Sequence, residues 1–411
     1  MLLFVPITYI KLQQGMFPMK LTALRSAILL SLIPTTSVFA AGLDRSGQSI
    51  LPFLQSGNYA EASISVLDPS VSGKSNNGAT VTDMADDYYF PSAALKVQAT
   101  DHFSFGLLYD QPYGADSQYS SDLGAFGDGT EGTSVKVRTN NLSLIVGYQP
   151  TENWNIYAGP VYQTVKGNVS LRGTAYSLLS GYNIDLKEDD AFGWLAGAAY
   201  QIPEIALKAA ITYRSEIKHE LDTTETSNVY IPPNYLPILP SGIDLRSISS
   251  QTEVVTPQSV NLDFQTGIAK DTLAFANVRW VHWDQFAVSP AALASASKLA
   301  KGKAQNLIDY SDDQISATVG VGHKFTSKWS GSASVGWDSG AGNPVTTLGP
   351  VEGFWSIGLG GQYSPAENYF VQAGVKYFWL GDAKAQTGGT VVGDFSDNDA
   401  IAYGLKFGYK F

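Results

Sequence analysis

Arg172 stands a few residues ahead of Tyr176, Leu178 and Leu179, so one planar cation is followed closely by an apolar run. A guanidinium fork binds both oxygens of a carboxylate, and an adjoining apolar surface suits a hydrocarbon tail. The bland alternative is a loop Arg that is solvated or paired with a nearby acid. Arg214, Glu216 and Lys218 alternate, which on a strand places all three on one face as a charge ladder. A ladder of that kind belongs in a polar interior, as packing more than as a reactive site, because unpaired charges would be costly there. The histidines, at 102, 219, 282 and 323, are scattered, and none pairs with another at metal-ligand spacing. Val278, Trp280, His282 and Asp284 share one face of a strand and Arg279, Val281 and Trp283 the other, and Trp with His at a strand end reads as an interfacial belt. There is no Cys, which removes disulfides, thiolate metal sites and thiol nucleophiles. These residues suit recognition. No catalytic residue, metal or cofactor is expected.

The elements that would position them are strands. Charged residues make up only 15% of the chain and aromatics 12%, with 40 Gly, a balance that suits strands with aromatic girdles better than a charge-rich soluble surface. From Tyr59 onward, stretches of period-two apolarity alternate with polar loops. At the end of the chain Tyr403, Leu405, Phe407, Tyr409 and Phe411 fall on one face, with Gly404, Lys406, Gly408 and Lys410 on the other. Similar stripes occur at Leu142, Leu144, Val146 and Tyr148, and at Val371, Ala373, Val375, Tyr377 and Trp379. Six short connections, at residues 100–102, 150–153, 203–204, 270–271, 326–328 and 365–368, alternate with seven long polar segments. That spacing predicts an all-β fold, a transmembrane antiparallel barrel of about 14 strands with both termini on the short-turn side. Segments 176–183 and 290–307 read as short helices capping the outer mouth.

At the N-terminus, Met19, Lys20 and Arg25 form a basic region, residues 27–33 an apolar one, and Val38-Phe39-Ala40 a small-residue cleavage pattern. Residues 1–40 are therefore expected to be an extension plus a signal peptide, the signal proper being 19–40 and residues 1–18 an upstream start-codon artefact. Residues 41–57 carry Leu43, Ile50, Leu51, Phe53 and Leu54 without clean alternation and are expected to fold into the lumen as a short plug, with Leu43 and Phe53 as ligand contacts. The barrel then spans residues 58–411. No apolar run after Ala40 approaches the ~20 residues of a spanning helix. The formal net charge of −11 argues against nucleic acid as partner.

The mature start Ala41-Gly42, the strand from Ile211 to Lys218, the segment Phe103-Ser104-Phe105-Gly106 and the terminal Tyr409-Lys410-Phe411 together resemble the FadL family of outer-membrane transporters of long-chain fatty acids and hydrocarbons. The resemblance implies a barrel with an N-terminal hatch, passive ligand-gated uptake and sideways release through a gap in the wall, in a Gram-negative outer membrane. It also implies that Arg172 falls where the family binds a carboxylate. The family's second basic partner, expected before Ile315, is absent, since Asp309, Asp312 and Asp313 stand there. Family hatches are longer and usually contain Asn-Pro-Ala, which this chain lacks, so gating is the property most open to difference.

Expected partners are a long-chain fatty acid or another hydrophobic small molecule, outer-membrane lipids including lipopolysaccharide, and the barrel-insertion machinery acting through Phe411. A monomer is expected. The competing readings are a channel for neutral hydrophobic compounds such as aromatic hydrocarbons, a general porin, an outer-membrane lipase or protease, and adhesion or phage reception by the long loops.

Overall fold

The computed structural model describes residues 43–233 and 243–411; the signal segment lies outside the described residues. Fourteen antiparallel strands close into a barrel. They are β1 (Tyr59–Ser70), β2 (Tyr88–Gln98), β3 (Phe103–Asp110 continuing as Gly114–Gln118), β4 (Ser134–Tyr148), β5 (Trp154–Leu171), β6 (Tyr182–Ile202) and β7 (Leu207–Arg214 continuing as Ile217–Thr226). The other half comprises β8 (Ile248–Thr256 continuing as Ser259–Ala269), β9 (Thr272–Val281), β10 (Gln314–Lys324), β11 (Trp329–Asp338), β12 (Phe354–Ala366), β13 (Tyr369–Leu380) and β14 (Asp399–Lys410). Each strand pairs with its neighbour in sequence, and β1 pairs with β14 from Tyr59 opposite Lys410 to Ser70 opposite Asp399, which closes the barrel on itself.

Alternation sorts the side chains as the stripes predicted. Tyr403, Leu405, Phe407 and Tyr409 are exposed on the outer face while Ala402, Lys406 and Gly408 are buried in the lumen. Aromatic pairs ring the barrel near the short turns, with Phe103 and Tyr148 at 5.2 Å and Trp329 and Tyr363 at 4.6 Å between ring centres. A second set stands nearer the long loops, where Trp194 and Tyr213 are 5.1 Å apart and Tyr377 and Trp379 5.0 Å. Two girdles flanking an aliphatic band are the expected outer surface of a membrane barrel.

Two interruptions matter for the lumen. Strand β3 breaks at residues 111–113, and its pairing with β2 ends at Ala93 opposite Tyr109, so Tyr88–Ser92 of β2 lack a β3 partner in the ladder. The second half of β3 bends inward, pairing along its length with β4 and on its other side with residues 84–86 ahead of β2, where Gln118 N–H donates to Met84 O at 2.8 Å, and residues 112–117 are buried on both faces. Pro91 and Pro112 both lie at this break, where a missing ladder donor costs least. Strands β7 and β8 break opposite one another, with Arg214 facing Ser259 below and Ile217 facing Thr256 above. The two extra residues in each strand invert the alternation: even positions face the lumen up to Arg214 and odd positions from Ile217 onward.

The lumen is occupied by residues 43–57, the short plug expected from the sequence. It is fastened to the kinked β3 by backbone bonds, Arg45 N–H donating to Pro112 O at 2.6 Å and Gly114 N–H to Leu43 O at 2.8 Å. The kinked segment thus recovers from the hatch some of the pairing it has lost to β2. Outside the membrane the long loops pack an apolar core over the mouth that includes Phe126, Tyr176, Phe354 and Phe395. The helix expected at 290–307 is α1, Ala291–Lys301, and that at 176–183 is a 3-10 turn at Thr174–Leu179.

Candidate functional site

Two cavities lie on either side of the hatch's attachment. The outer one is walled by Leu43, Tyr113, Val165, Val254, Trp283 and Phe286 and is almost wholly apolar. Tyr113 and Trp283 meet edge to face at 5.5 Å, and the Tyr113 hydroxyl donates to Pro257 O at 3.2 Å. Leu43 lies in the wall of this cavity.

The inner cavity begins at the β2/β3 break, where Phe90, Pro91, Ala93 and Leu108 form its lip, and reaches across the lumen past hatch residues 46–52 to Arg214, Asp263 and Lys406. The break itself is crossed by one side chain: the Tyr88 hydroxyl donates to Val137 O of β4 at 3.1 Å. It passes over Gly114, where a Cβ would lie 1.7 Å from the Tyr88 oxygen, so glycine is required there by close approach.

The hatch is held by an apolar seat and a polar belt above it. Ile50, Phe53 and Leu54 pack with Ile145, Tyr157 and Leu195. Phe53 lies directly over Gly106 and Gly147, whose absent side chains make room for its ring. Above this seat Arg279 Nε donates to Asp44 Oδ2 at 2.6 Å, with further bonds to Gln48 Oε1 at 3.0 Å and Asn261 Oδ1 at 2.7 Å, all buried. Lys208 Nζ donates to Leu54 O at 2.6 Å and Lys96 Nζ to Gln55 O at 2.9 Å. Phe53 is thus a structural key of the hatch and does not line either cavity.

The other sequence candidates are placed as follows. Arg172 is buried and engaged at every donor: Nε and Nη2 to Glu131 Oε2 at 2.9 and 2.7 Å, Nη2 also to Asn183 Oδ1, and Nη1 to the carbonyls of Leu171 and Tyr182. A guanidinium has five N–H groups, and all five have acceptors, so Arg172 staples loops together and has no free edge for a ligand carboxylate. The alternative that pairs it with an acid is the one realised. Tyr176 is buried with its hydroxyl on Thr347 Oγ1 at 3.0 Å, and burial pushes its pKa up to about 12. Leu179 packs against the loop core, while Leu178 is 75% exposed on the outer surface. The ladder Arg214, Glu216 and Lys218 does not exist as one face. The break at residues 215–216 leaves Arg214 in the lumen and turns Glu216 and Lys218 outward, where Lys218 pairs with Glu253 at 2.7 Å.

Several groups went unnoticed in the sequence. Asp44 and Arg279, the hatch latch, are separated by 235 positions. His282, Asp284 and Asp313 bring their ligand atoms within 4.8 Å of one another on the outer face, although sequence spacing gave no metal pattern. In the loop after β11, Glu352 accepts from Gly342 N–H at 3.2 Å through one oxygen while the other has no hydrogen-bond partner among the described residues. Burial raises its carboxyl to about 7 against the lowering effect of that N–H.

Residues 42–411 match the family model described as outer membrane protein transport protein (OMPP1/FadL/TodX). Among solved structures, a Pseudomonas aeruginosa FadL homologue is 16% identical, with a TM-score of 0.67 over 92% of this chain and 99% of that one. The Pseudomonas putida toluene transporter TodX is 13% identical, TM-score 0.61, over 88% and 92%. The Ralstonia pickettii toluene transporter TbuX is 14% identical, TM-score 0.58, over 90% and 95%. No curated protein gives a sequence match.

Proposed function

The chain belongs to the OMPP1/FadL/TodX family of outer membrane transport proteins, and from that premise we propose that it takes up long-chain fatty acids by passive diffusion with lateral release into the bilayer. The observation that carries the reading is the β2/β3 break, which joins an inner cavity to the lipid-facing wall through an apolar lip. A hydrocarbon chain loses ~0.8 kcal/mol per CH₂ on entering water, so a sideways exit spares it that cost.

In this scheme Leu178 and the loops receive the ligand, the apolar outer cavity holds its chain, and displacement of the hatch links the two cavities. Because the kinked half of β3 is bonded to residues 43–45, a moving hatch and a widening break are one event. No nucleotide-binding motif is present in the sequence, and the gradient across the membrane supplies the direction.

A second reading, uptake of neutral aromatic hydrocarbons, is favoured by the outer cavity, which presents an apolar surface even though Thr139 and Thr256 stand in its wall, and by the full engagement of Arg172. TodX and TbuX are toluene transporters by their descriptions. Uptake of labelled oleate and of labelled toluene, by cells lacking their own fatty-acid transporter and complemented with this chain, separates the two. A substitution at the lip, Ala93→Trp, is expected to bring uptake of either compound close to that of uncomplemented cells while leaving a folded barrel. Full uptake by that variant would remove the lateral route.

A further inference from the structure

This inference rests on the uptake reading above and gives its inner cavity a substrate chemistry. Arg214 closes the lower half of β7 and lines that cavity, with only 6% of its surface exposed. Its Nε and Nη1 touch neither solvent nor any acceptor among the described residues. Neighbouring acids are engaged elsewhere: Asp110 accepts from Ser46, Glu61 pairs with Lys406 at 3.1 Å, and Asp263 Oδ1 accepts from Asn277 at 2.9 Å. Oδ2 of Asp263 is also without a partner. Asp110 and Asp263 lie near enough to share its charge but form no hydrogen bond to it, and buried N–H groups without acceptors are costly, a cost that an arriving acceptor would relieve. Toluene offers no acceptor to Arg214, whereas a carboxylate does.

We propose that Arg214 is the head-group receptor of the inner cavity. It takes the carboxylate of a single-chain amphiphile whose tail lies along Leu51, Pro52, Phe90 and Leu108 toward the break in the wall. The ligand waits with its charge on the far side of the lumen and its hydrocarbon at the exit. Arg172, at the outer mouth, takes no part.

The test is equilibrium binding of radiolabelled oleate and radiolabelled toluene to the purified protein in nanodiscs, for wild type, Arg214→Met and Arg214→Lys, with the gel shift on heating as the check of folding. Arg214→Met is expected to weaken oleate roughly ten- to a hundredfold and to leave toluene within about twofold, while Arg214→Lys recovers part of the oleate affinity. Unchanged oleate binding, an equal loss for both compounds, or no oleate binding by the wild type overturns the assignment. The uptake reading is judged separately in cells. Oleate that enters cells expressing Arg214→Met as fast as wild type, with binding also unchanged, sinks the receptor alone. Oleate bound at Arg214 but never taken up sinks only the transport reading.

Discussion

Two buried arginines, one at the mouth and one in the lumen, are treated in opposite ways. Arg172 has an acceptor for each of its five donors and ties Glu131, Asn183 and two carbonyls into one loop assembly. Arg214 is as deeply buried and has two nitrogens with none. A satisfied arginine is architecture, and its removal leaves holes in a network. An unsatisfied one is costly until an acceptor reaches it, which is the role proposed for Arg214. Arg279 belongs with Arg172, since its bonds to Asp44, Gln48 and Asn261 hold the hatch.

The contrast can be broken most forcefully at Arg279. Arg279→Ala strands Asp44 in the lumen, and losing one partner of a buried pair costs about 3–5 kcal/mol. The expected outcome is a displaced hatch, read as large steady currents in planar bilayers and sensitivity of cells to antibiotics that wild type excludes. A variant as tight as wild type would mean that Phe53 in its glycine seat holds the hatch unaided.

Arg172→Ala comes next. Glu131 is mostly exposed, so the penalty is smaller, about 2 kcal/mol. Faster protease cleavage in the loops around residues 128–131 and 173–181 is expected on whole cells, with equal effects on oleate and toluene uptake. A selective loss of oleate would return the carboxylate role to Arg172.

A third test uses pH. Glu352 has a folded pKa of about 7, raised by burial from the ordinary carboxylate range. A raised carboxyl favours the folded loop while it is protonated, so stability is lost as pH rises from the unfolded value through about 7. Hydrogen exchange in residues 339–353 is expected to be faster at pH 8 than at pH 5, and Glu352→Gln to flatten the difference. Exchange in this segment that slows with rising pH, once corrected for the intrinsic rate, would contradict it.

The smallest effect is that of Arg214→Met on stability. Methionine removes a cation with two unbonded nitrogens but also the counter-charge of nearby Asp110 and Asp263, so the two effects oppose and the temperature of the gel shift should change little. A clear drop would show that Arg214 resembles Arg172 after all.

Much of this was legible in the chain. Stripes such as Tyr403, Leu405, Phe407 and Tyr409 fix their face through period two alone, and turn spacing gives the strand count. The plug was readable from its apolar residues without alternation, but the latch was not, because Asp44 and Arg279 meet only when the barrel closes. The ladder failed for a definite reason: the apolar residues Ile211, Tyr213, Ile217 and Leu221 all fall on odd positions, so one period runs through the polar triplet Arg214-Ser215-Glu216 and hides the inversion of face. Glu131 reaches Arg172 across 41 positions and could not have been assigned to it. The β2/β3 break did leave a signal, the prolines at 91 and 112 inside otherwise regular strands, together with Gly114.

The position of that break relative to the seam has a mechanical consequence. The joint between β1 and β14, where the two ends of the chain meet, is fully zipped along both strands, whereas the break lies two strands further round the wall. Prising β2 from β3 therefore stretches a hoop at a point away from its clasp. On the proposed lateral route, opening at this point leaves the clasp untouched, and the contacts that must give way are the Tyr88 crossbar and the backbone bonds that bridge the break.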